Sequence, residues 1–177
     1  MARFLFVVPP LVGHVNPTVS LGHVLRERGH AVAWAGHPTA VRPLLAPGAE
    51  LLALPEGDVE RAGSQLRKAT EGARGLSAFK QLWEELLLPL ARAMLPAVDA
   101  AVATFRPDVL LVDQQTLAGA LVARRRHLRW ATLATTSATL ADSLAGLPKV
   151  KDWIDGQMAQ LVREAGLEAT PAPDLSP

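Results

Sequence analysis

The chain has 177 residues, 49% of them hydrophobic, which is enough for one domain with its own core. Its formal net charge of +1 argues against nucleic acid or an anionic membrane surface as a partner. The absence of cysteine excludes disulfide frameworks and thiolate metal sites. The five histidines are scattered singly without the spacing of a zinc site, so we expect no bound metal.

The beginning of the chain alternates between strand and helix patterns. Residues 4–8 are a continuous apolar run, typical of a strand covered on both faces and too short for a signal peptide. Residues 17–28 have helical spacing, with Asn16 as the expected cap and Gly29 as the stop. Residues 31–35 read as a second strand. This strand–helix–strand unit indicates a parallel sheet.

The alternation continues with a short helix at residues 39–46 and a third strand at residues 50–54. Residues 56–75 are charged and glycine-rich without a clear period, so we expect a mobile loop there. A long helical region follows at residues 76–105, and its prolines are expected to kink or divide it. No uncharged apolar run approaches the length of a membrane span, so we expect a cytoplasmic protein.

The last part of the chain repeats the pattern. Strands are predicted at residues 109–112 and 130–134, on either side of a helix at residues 117–127. The basic run at residues 124–127 fits the end of that helix, where cations offset the dipole, better than it fits a polyanion site. Residues 148–166 form a last amphipathic helix.

The sequence thus predicts an α/β fold, a doubly wound Rossmann-like parallel sheet with helices on both faces, in one domain over residues 1–177. Ligands of such folds bind outside the carboxyl ends of the strands. Three segments reach that edge, namely residues 9–16, 113–116 and 135–139. The functional site is expected among them.

His14 lies in the first of these segments, within Gly-His-Val-Asn-Pro. The lone Gly13 makes neither a dinucleotide fingerprint nor a phosphate loop. We expect a turn in which Gly13 bends the backbone and Asn16 starts the helix, so that the imidazole projects into the crevice. A positive helix end favours a neutral imidazole, which can act as a base. The alternative is that His14 only packs on the loop.

Asp113 follows four apolar residues at the end of the fourth strand, so its carboxylate should be buried and needs a partner. If strands one and four are neighbours, Asp113 lies beside His14 and can fix the tautomer of the ring. The alternative is that Asp113 caps the helix that begins near Thr116.

Two stretches carry a family resemblance. The first is RFLFVVPPLVGHVNPTVSLGHVLRERGHAVAWAGHP, with its G-H-x-N-P turn and a helix ending R-G-H. The second is RPDVLLVDQQTLAGALVA, with a P-D-x-x-x-x-D strand. Both resemble the nucleotide-sugar-dependent glycosyltransferases of the GT-B fold, in particular the macrolide- and polyketide-modifying and UDP-glycosyltransferase-like enzymes. The likeness covers essentially the whole chain and implies a role in antibiotic or other natural-product biosynthesis.

The resemblance implies that His14 is the general base that deprotonates an acceptor hydroxyl and that Asp113 orients it. The hydroxyl then attacks a UDP- or dTDP-linked sugar with inversion, with no metal and no cofactor beyond this co-substrate. The N-terminal half of such enzymes holds the acceptor, here an apolar small molecule, and the loop that begins at Thr135 becomes a candidate wall. The candidate acceptor-binding residues are Val12, Gly13, Phe79, Trp83, Thr136 and Ser137.

Phe79 and Trp83 also recur at helical spacing with three leucines, a stripe that is more often core than ligand surface. The family's second domain, which binds the donor, has no counterpart in the sequence. We therefore expect a truncated acceptor domain that binds without turnover and needs a C-terminal domain or a partner chain. The alternatives are an acceptor-binding subunit of a two-chain glycosyltransferase and a non-enzymatic module that binds a small ligand.

Overall fold

The computed structural model describes residues 1–55, 75–135 and 146–168. Its centre is a five-stranded sheet in the order β3-β2-β1-β4-β5, in which all neighbours pair in parallel. The strands are β1 (Arg3–Val7), β2 (Ala31–Gly36), β3 (Glu50–Ala53), β4 (Val109–Asp113) and β5 (Arg129–Leu133). The predicted doubly wound parallel sheet with its first strand at the centre is confirmed. The loop expected at residues 56–75 lies almost wholly outside the described residues.

The helices follow the strands in the predicted alternation. They are α1 (Val12–Glu27), α2 (Pro38–Val41), α3 (Leu76–Gln81), α4 (Leu88–Phe105), α5 (Leu117–Arg125) and α6 (Pro148–Glu164). A 3₁₀ turn at Arg42–Leu44 follows α2, and a π-helical segment at Leu82–Leu87 joins α3 to α4.

Both faces of the sheet are covered, which explains the unbroken apolar run in β1. Leu5 and Val7 face a core cluster that includes buried residues of α4 and α5. Phe6 faces the opposite cluster and stacks on Trp34 of β2 at 5.2 Å between ring centroids. Helix α1 lies on this second face, where Trp34 donates a hydrogen bond to the hydroxyl of Thr18 at 2.9 Å.

The start of α1 differs from the sequence prediction. The helix is capped at Leu11, so His14 lies in its first turn and Pro17 lies inside it. Pro17 cannot donate to the carbonyl of Gly13, and packing of the buried face of α1 on the sheet offsets that lost bond. Gly13 has no positive φ angle, and a Cβ there would meet nothing within 4 Å. The expectation that Gly13 bends a turn and Asn16 starts the helix is therefore wrong.

Pro96 does not divide the long helical stretch Leu76–Phe105, but the stretch changes from π-helical to α-helical next to Pro89. Pro89 is the second residue of α4, directly after the π-helical segment, and Pro96 lies within a continuous α4. The stretch is long and apolar enough to cross a membrane by length and composition. Half of its most apolar window is buried in the domain, as in a core helix, so this is weak evidence for a membrane span.

The basic run after α5 closes that helix, as predicted. Arg126 is the C-cap residue, and its guanidinium donates to both carboxylate oxygens of Asp99 on α4, at 2.6 and 2.7 Å. Arg125 contacts the same carboxylate at 2.8 Å. These two arginines therefore hold α5 against α4.

Candidate functional site

His14 is positioned by the first turn of α1, immediately after the carboxyl end of β1. The backbone N–H groups of His14 and Val15 donate to the carbonyl of Leu11 at 2.9 and 3.1 Å, which fixes the start of the helix. His14 is only 9% exposed, so its imidazole is largely buried and does not lie on a solvent-exposed loop. The ring is thus held by a helix that packs on the sheet.

Asp113 is the last residue of β4 and is fully buried, with 0% exposure. Strands β1 and β4 are neighbours, and Val7 pairs with Val112, so Asp113 emerges beside the start of α1. Its carboxylate oxygens lie 2.9 and 3.0 Å from Nδ1 of His14. The contact between His14 and Asp113 expected from the sequence is present.

The carboxylate of Asp113 has two further partners. The backbone N–H of Gln115 donates to Oδ1 at 2.9 Å, and the hydroxyl of Thr135 donates to Oδ2 at 3.0 Å. The N-cap residue of α5 is Thr116, and no side chain makes the capping bond, so Asp113 does not cap that helix. The hydroxyl of Thr116 instead donates to the carbonyls of Val7 and Asp113, which ties the ends of β1 and β4 together.

Thr135 completes the site from β5, the strand next to β4. Its hydroxyl oxygen lies 2.7 Å from Nδ1 of His14. Thr135 was expected only in a loop forming a candidate acceptor wall, and its contact with His14 and Asp113 was not predicted. The available signal was its position two residues after β5, because the order β1-β4-β5 brings the ends of these three strands side by side.

This arrangement determines what the imidazole can do. Nδ1 of His14 faces three oxygens, two from Asp113 and one from Thr135, so it is the nitrogen that carries the proton. In the described ranges nothing hydrogen bonds to Nε2, whose lone pair can therefore accept a proton from a ligand. The described residues contain no group of three or more histidines, aspartates or glutamates placed to hold a metal.

The candidate acceptor-binding residues fall into three groups. Val12 and Gly13 are exposed in the first turn of α1, next to His14 in the chain. Phe79 and Trp83 are half-buried and contact each other, with ring centroids 6.4 Å apart, and both pack on the cluster beneath α6. Thr136 and Ser137 lie outside the described residues.

Phe79 also lines an apolar cavity of about 280 Å³ between α3 and α6. Among the described elements, these are the first helices after β3 and β5 in the chain. Trp83 does not line the cavity. The apolar stripe along α3 and the π-helical segment therefore packs partly in the core and partly around the cavity. The residues around the cavity are Leu76, Phe79, Lys80, Lys149, Val150 and Trp153.

The known proteins that are similar to this chain include several glycosyltransferases. The demethyllactenocin mycarosyltransferase of Streptomyces fradiae is 31% identical over 117 residues, which are 66% of this chain and 25% of that protein. The glycosyltransferase SsfS6 of Streptomyces sp. SF2575 superposes with a TM-score of 0.69 at 24% identity, over 99% of this chain and 49% of its own. The calicheamicin glycosyltransferase CalG4 gives 0.64 at 25% identity, over 97% and 44%.

The chain matches only part of each of these relatives. The chain spans just under half the length of these solved glycosyltransferases, and its match to the curated relative covers a quarter of that protein. No family model matches the chain. SsfS6 has also been solved in complex with thymidine diphosphate.

Proposed function

We propose that this chain, which resembles the GT-B-fold glycosyltransferases and matches just under half the length of the solved ones, is the acceptor-binding domain of an inverting enzyme. The enzyme would transfer a sugar from a nucleotide sugar to a hydroxyl group of an apolar natural product. One observation carries the proposal, namely the buried pair of His14 and Asp113 at the carboxyl edge of the sheet.

In the first step, His14 acts as the base. Its Nδ1–H donates to Asp113, which leaves the lone pair of Nε2 to accept the proton of the acceptor hydroxyl. The ring becomes an imidazolium, and the adjacent carboxylate of Asp113 stabilises that positive charge. General base catalysis of this kind contributes about 10²- to 10⁴-fold to a rate.

In the second step, the oxygen that has lost its proton attacks the anomeric carbon of the sugar. A new carbon–oxygen bond forms while the bond between that carbon and the nucleoside diphosphate breaks, and the leaving group takes the electron pair. Attack from the face opposite the leaving group inverts the configuration. The only proton that moves in this chain is the one accepted by His14.

The acceptor site that we propose combines two parts of the domain. Val12 and Gly13 offer exposed surface beside His14, and the apolar cavity lined by Phe79 and Trp153 can hold a hydrophobic ring system. Its volume of about 280 Å³ lies just below the range of ordinary ligand pockets, about 300–1,000 Å³. Thr136 and Ser137, which lie outside the described residues, remain candidates.

The donor that we propose is a dTDP- or UDP-linked sugar, with dTDP favoured because relatives with this fold have been solved with thymidine diphosphate. The groups that bind its diphosphate would come from a second domain or from a partner chain. Developing negative charge on a departing diphosphate needs preorganised donors. Among the described residues, the His14 site presents a base, the Asp113 carboxylate and the Thr135 hydroxyl, and no cationic side chain contacts it.

A transfer assay on the enzyme that contains this chain tests the proposal. Apolar hydroxylated acceptors are mixed with dTDP- and UDP-sugars, and release of nucleoside diphosphate is followed together with the anomeric configuration of the product. We expect acceptor-dependent release with inversion, and His14→Ala to lower kcat by about a hundredfold or more with little change in acceptor affinity. Retention of configuration, or full activity of His14→Ala, would contradict the proposal.

A further inference from the structure

We infer that Thr135 is a positioning residue of this site, whose hydroxyl holds the His14 ring and the Asp113 carboxylate in one fixed geometry. This inference rests on the proposed function for its kinetic consequence, but its structural content stands on three contacts. The Thr135 oxygen lies 2.7 Å from Nδ1 of His14 and 3.0 Å from Oδ2 of Asp113, which itself lies 2.9 Å from Nδ1.

The direction of each hydrogen bond follows from the groups present. A carboxylate can only accept, so the single proton of the Thr135 hydroxyl points at Oδ2 of Asp113. A lone pair of the same hydroxyl then faces His14, where it can accept from Nδ1–H. The threonine is therefore a donor to one partner and an acceptor from the other.

The opposite tautomer of His14 does not fit this triangle. With the proton on Nε2, the lone pair of Nδ1 would face both oxygens of Asp113 at 2.9 and 3.0 Å. The Thr135 proton could satisfy Nδ1 or Oδ2, but not both, and a buried polar atom would lose its partner. Thr135 thus favours the tautomer that leaves Nε2 free for the acceptor hydroxyl.

Thr135 also adds a constraint that Asp113 alone does not supply. Asp113 holds Nδ1 from β4, whereas Thr135 approaches from the chain that leaves β5. Two anchors, one at the end of β4 and one on the chain that leaves β5, limit rotation of the imidazole about its hydrogen bond to the carboxylate. A catalytic base held in this way keeps Nε2 aimed at one point, which is what proton abstraction from a bound hydroxyl requires.

The structural part of the inference can be tested by NMR on the 177-residue chain, without any activity. Nitrogen–proton correlation of the imidazoles is recorded at about pH 8, where ordinary histidines are neutral. We expect the Nδ1–H form for His14. His30 is an internal contrast, because its Nδ1 accepts the backbone N–H of Ala2 at 3.2 Å and its proton must therefore lie on Nε2.

Substitution then separates the hydroxyl from the bulk of the side chain. Thr135→Val keeps the shape but removes the hydroxyl, and we expect exchange of the His14 Nδ1 proton with water to rise at least about tenfold, since one of its two acceptors is gone. Thr135→Ser should restore protection to within about threefold. Thr104→Val, which removes an exposed hydroxyl on α4 that donates to the Ala100 carbonyl, is the matched control and should change nothing.

The kinetic part uses the same variants in the enzyme that contains this chain. Thr135→Val should lower kcat about tenfold with both KM values nearly unchanged, and Thr135→Ser should recover most of it. Unchanged proton exchange in Thr135→Val, or a change in KM that Thr135→Ser does not recover, would overturn the inference. If the NMR results hold but no sugar transfer is found with any acceptor, the positioning role stands and the proposed function fails.

Discussion

Nδ1 of His14 lies 2.9 Å from a carboxylate oxygen of Asp113, although the two residues are 99 positions apart in the chain. The sheet order explains this distance. The chain places β2 and β3 on one side of β1 and then returns to lay β4 on the other side. The start of α1 and the end of β4 therefore meet at the carboxyl edge where the order of the strands reverses, which is where doubly wound folds bind ligands.

Asp113→Asn is expected to reduce turnover of the proposed glycosyltransferase by about a hundredfold or more. The amide can present its NH₂ group to Nδ1 of His14, which favours the tautomer with the proton on Nε2 and removes the base. It also removes the negative charge that stabilises the imidazolium. Steady-state kinetics with saturating donor and acceptor provide the measurement.

The control for this substitution is Asp152→Asn, an exposed aspartate on α6 with the same change in charge. It should leave kcat unchanged. Circular dichroism of the two variants shows whether the sheet is intact. If Asp113→Asn keeps its fold and works at the rate of the control, Asp113 has no part in the chemistry.

Gly22→Ala is expected to lower the free energy of unfolding by about 1–3 kcal/mol. Gly22 lies in α1 directly over the fully buried ring of Trp34, and a Cβ at this position would come within 2.6 Å of the ring atom Cη2. Trp34 also stacks on Phe6 and bonds to Thr18, so it has no free direction in which to move. Helix α1, and His14 with it, would have to shift.

Urea unfolding of the isolated chain gives the measurement, and Gly156→Ala is the matched control. Gly156 lies in the interior of α6 with open space around its Cα, so alanine there should be stabilising by about 0.5–1 kcal/mol. Opposite signs for the two substitutions are expected. Equal effects would mean that helix propensity decides both and that the contact with Trp34 is unimportant.

The sequence was sufficient to predict the fold and the contact between His14 and Asp113 at the edge of the sheet. Unbroken apolar runs mark strands that are covered on both faces, and helices between them force parallel pairing, so β1 and β4 could be placed in the interior of the sheet. Asp113 could be found because a carboxylate directly after four apolar residues has to be buried and therefore needs a partner.

Other features were decided by tertiary contacts that no local pattern contains. Pro17 and Pro96 are strong breakers in isolation, but each lies inside a helix whose apolar residues pack on the sheet. Packing of α4 therefore outweighs the backbone hydrogen bond that Pro96 removes. In the same way, α1 begins at Val12 and continues through Pro17. The contact of Thr135 with His14 depends on the angle at which the chain leaves β5, which no sequence spacing specifies.

Asp99→Asn is expected to lower the melting temperature by a few degrees at pH 7. The Arg126 guanidinium, helped by Arg125 and opposed by partial burial, lowers the pKa of Asp99 from 3.8 to about 2. A carboxyl group with a lowered pKa in the folded state stabilises the protein above the unfolded value and loses that effect as the pH falls. The stabilisation is thus complete above about pH 4 and lost as the pH falls towards 2.

Melting curves recorded from pH 7 to pH 2 check this dependence. The gap between the native chain and Asp99→Asn should be largest above about pH 4 and should narrow as the pH falls from about 4 to 2. Asp152→Asn, for which no arginine contact is present among the described residues, is again the control and should melt close to the native chain throughout. A gap that stays constant down to pH 2 would show that the substitution acts through packing and not through charge.

The isolated chain is expected to bind sugar nucleotides more weakly than about micromolar and to transfer no sugar. The physical reason is the distribution of charge at the site. A bound diphosphate and its departure require several N–H or cationic donors at fixed positions, whereas the pair of His14 and Asp113 presents a base and a carboxylate. In solved relatives this chain matches just under half of the molecule, and we assign the donor site to the other half.

Calorimetric titration with dTDP- and UDP-sugars measures the affinity. Titration with an apolar acceptor, which should bind and release heat, shows that the chain is folded. Binding of a sugar nucleotide at about micromolar or tighter would place the donor site within this domain and overturn the assignment.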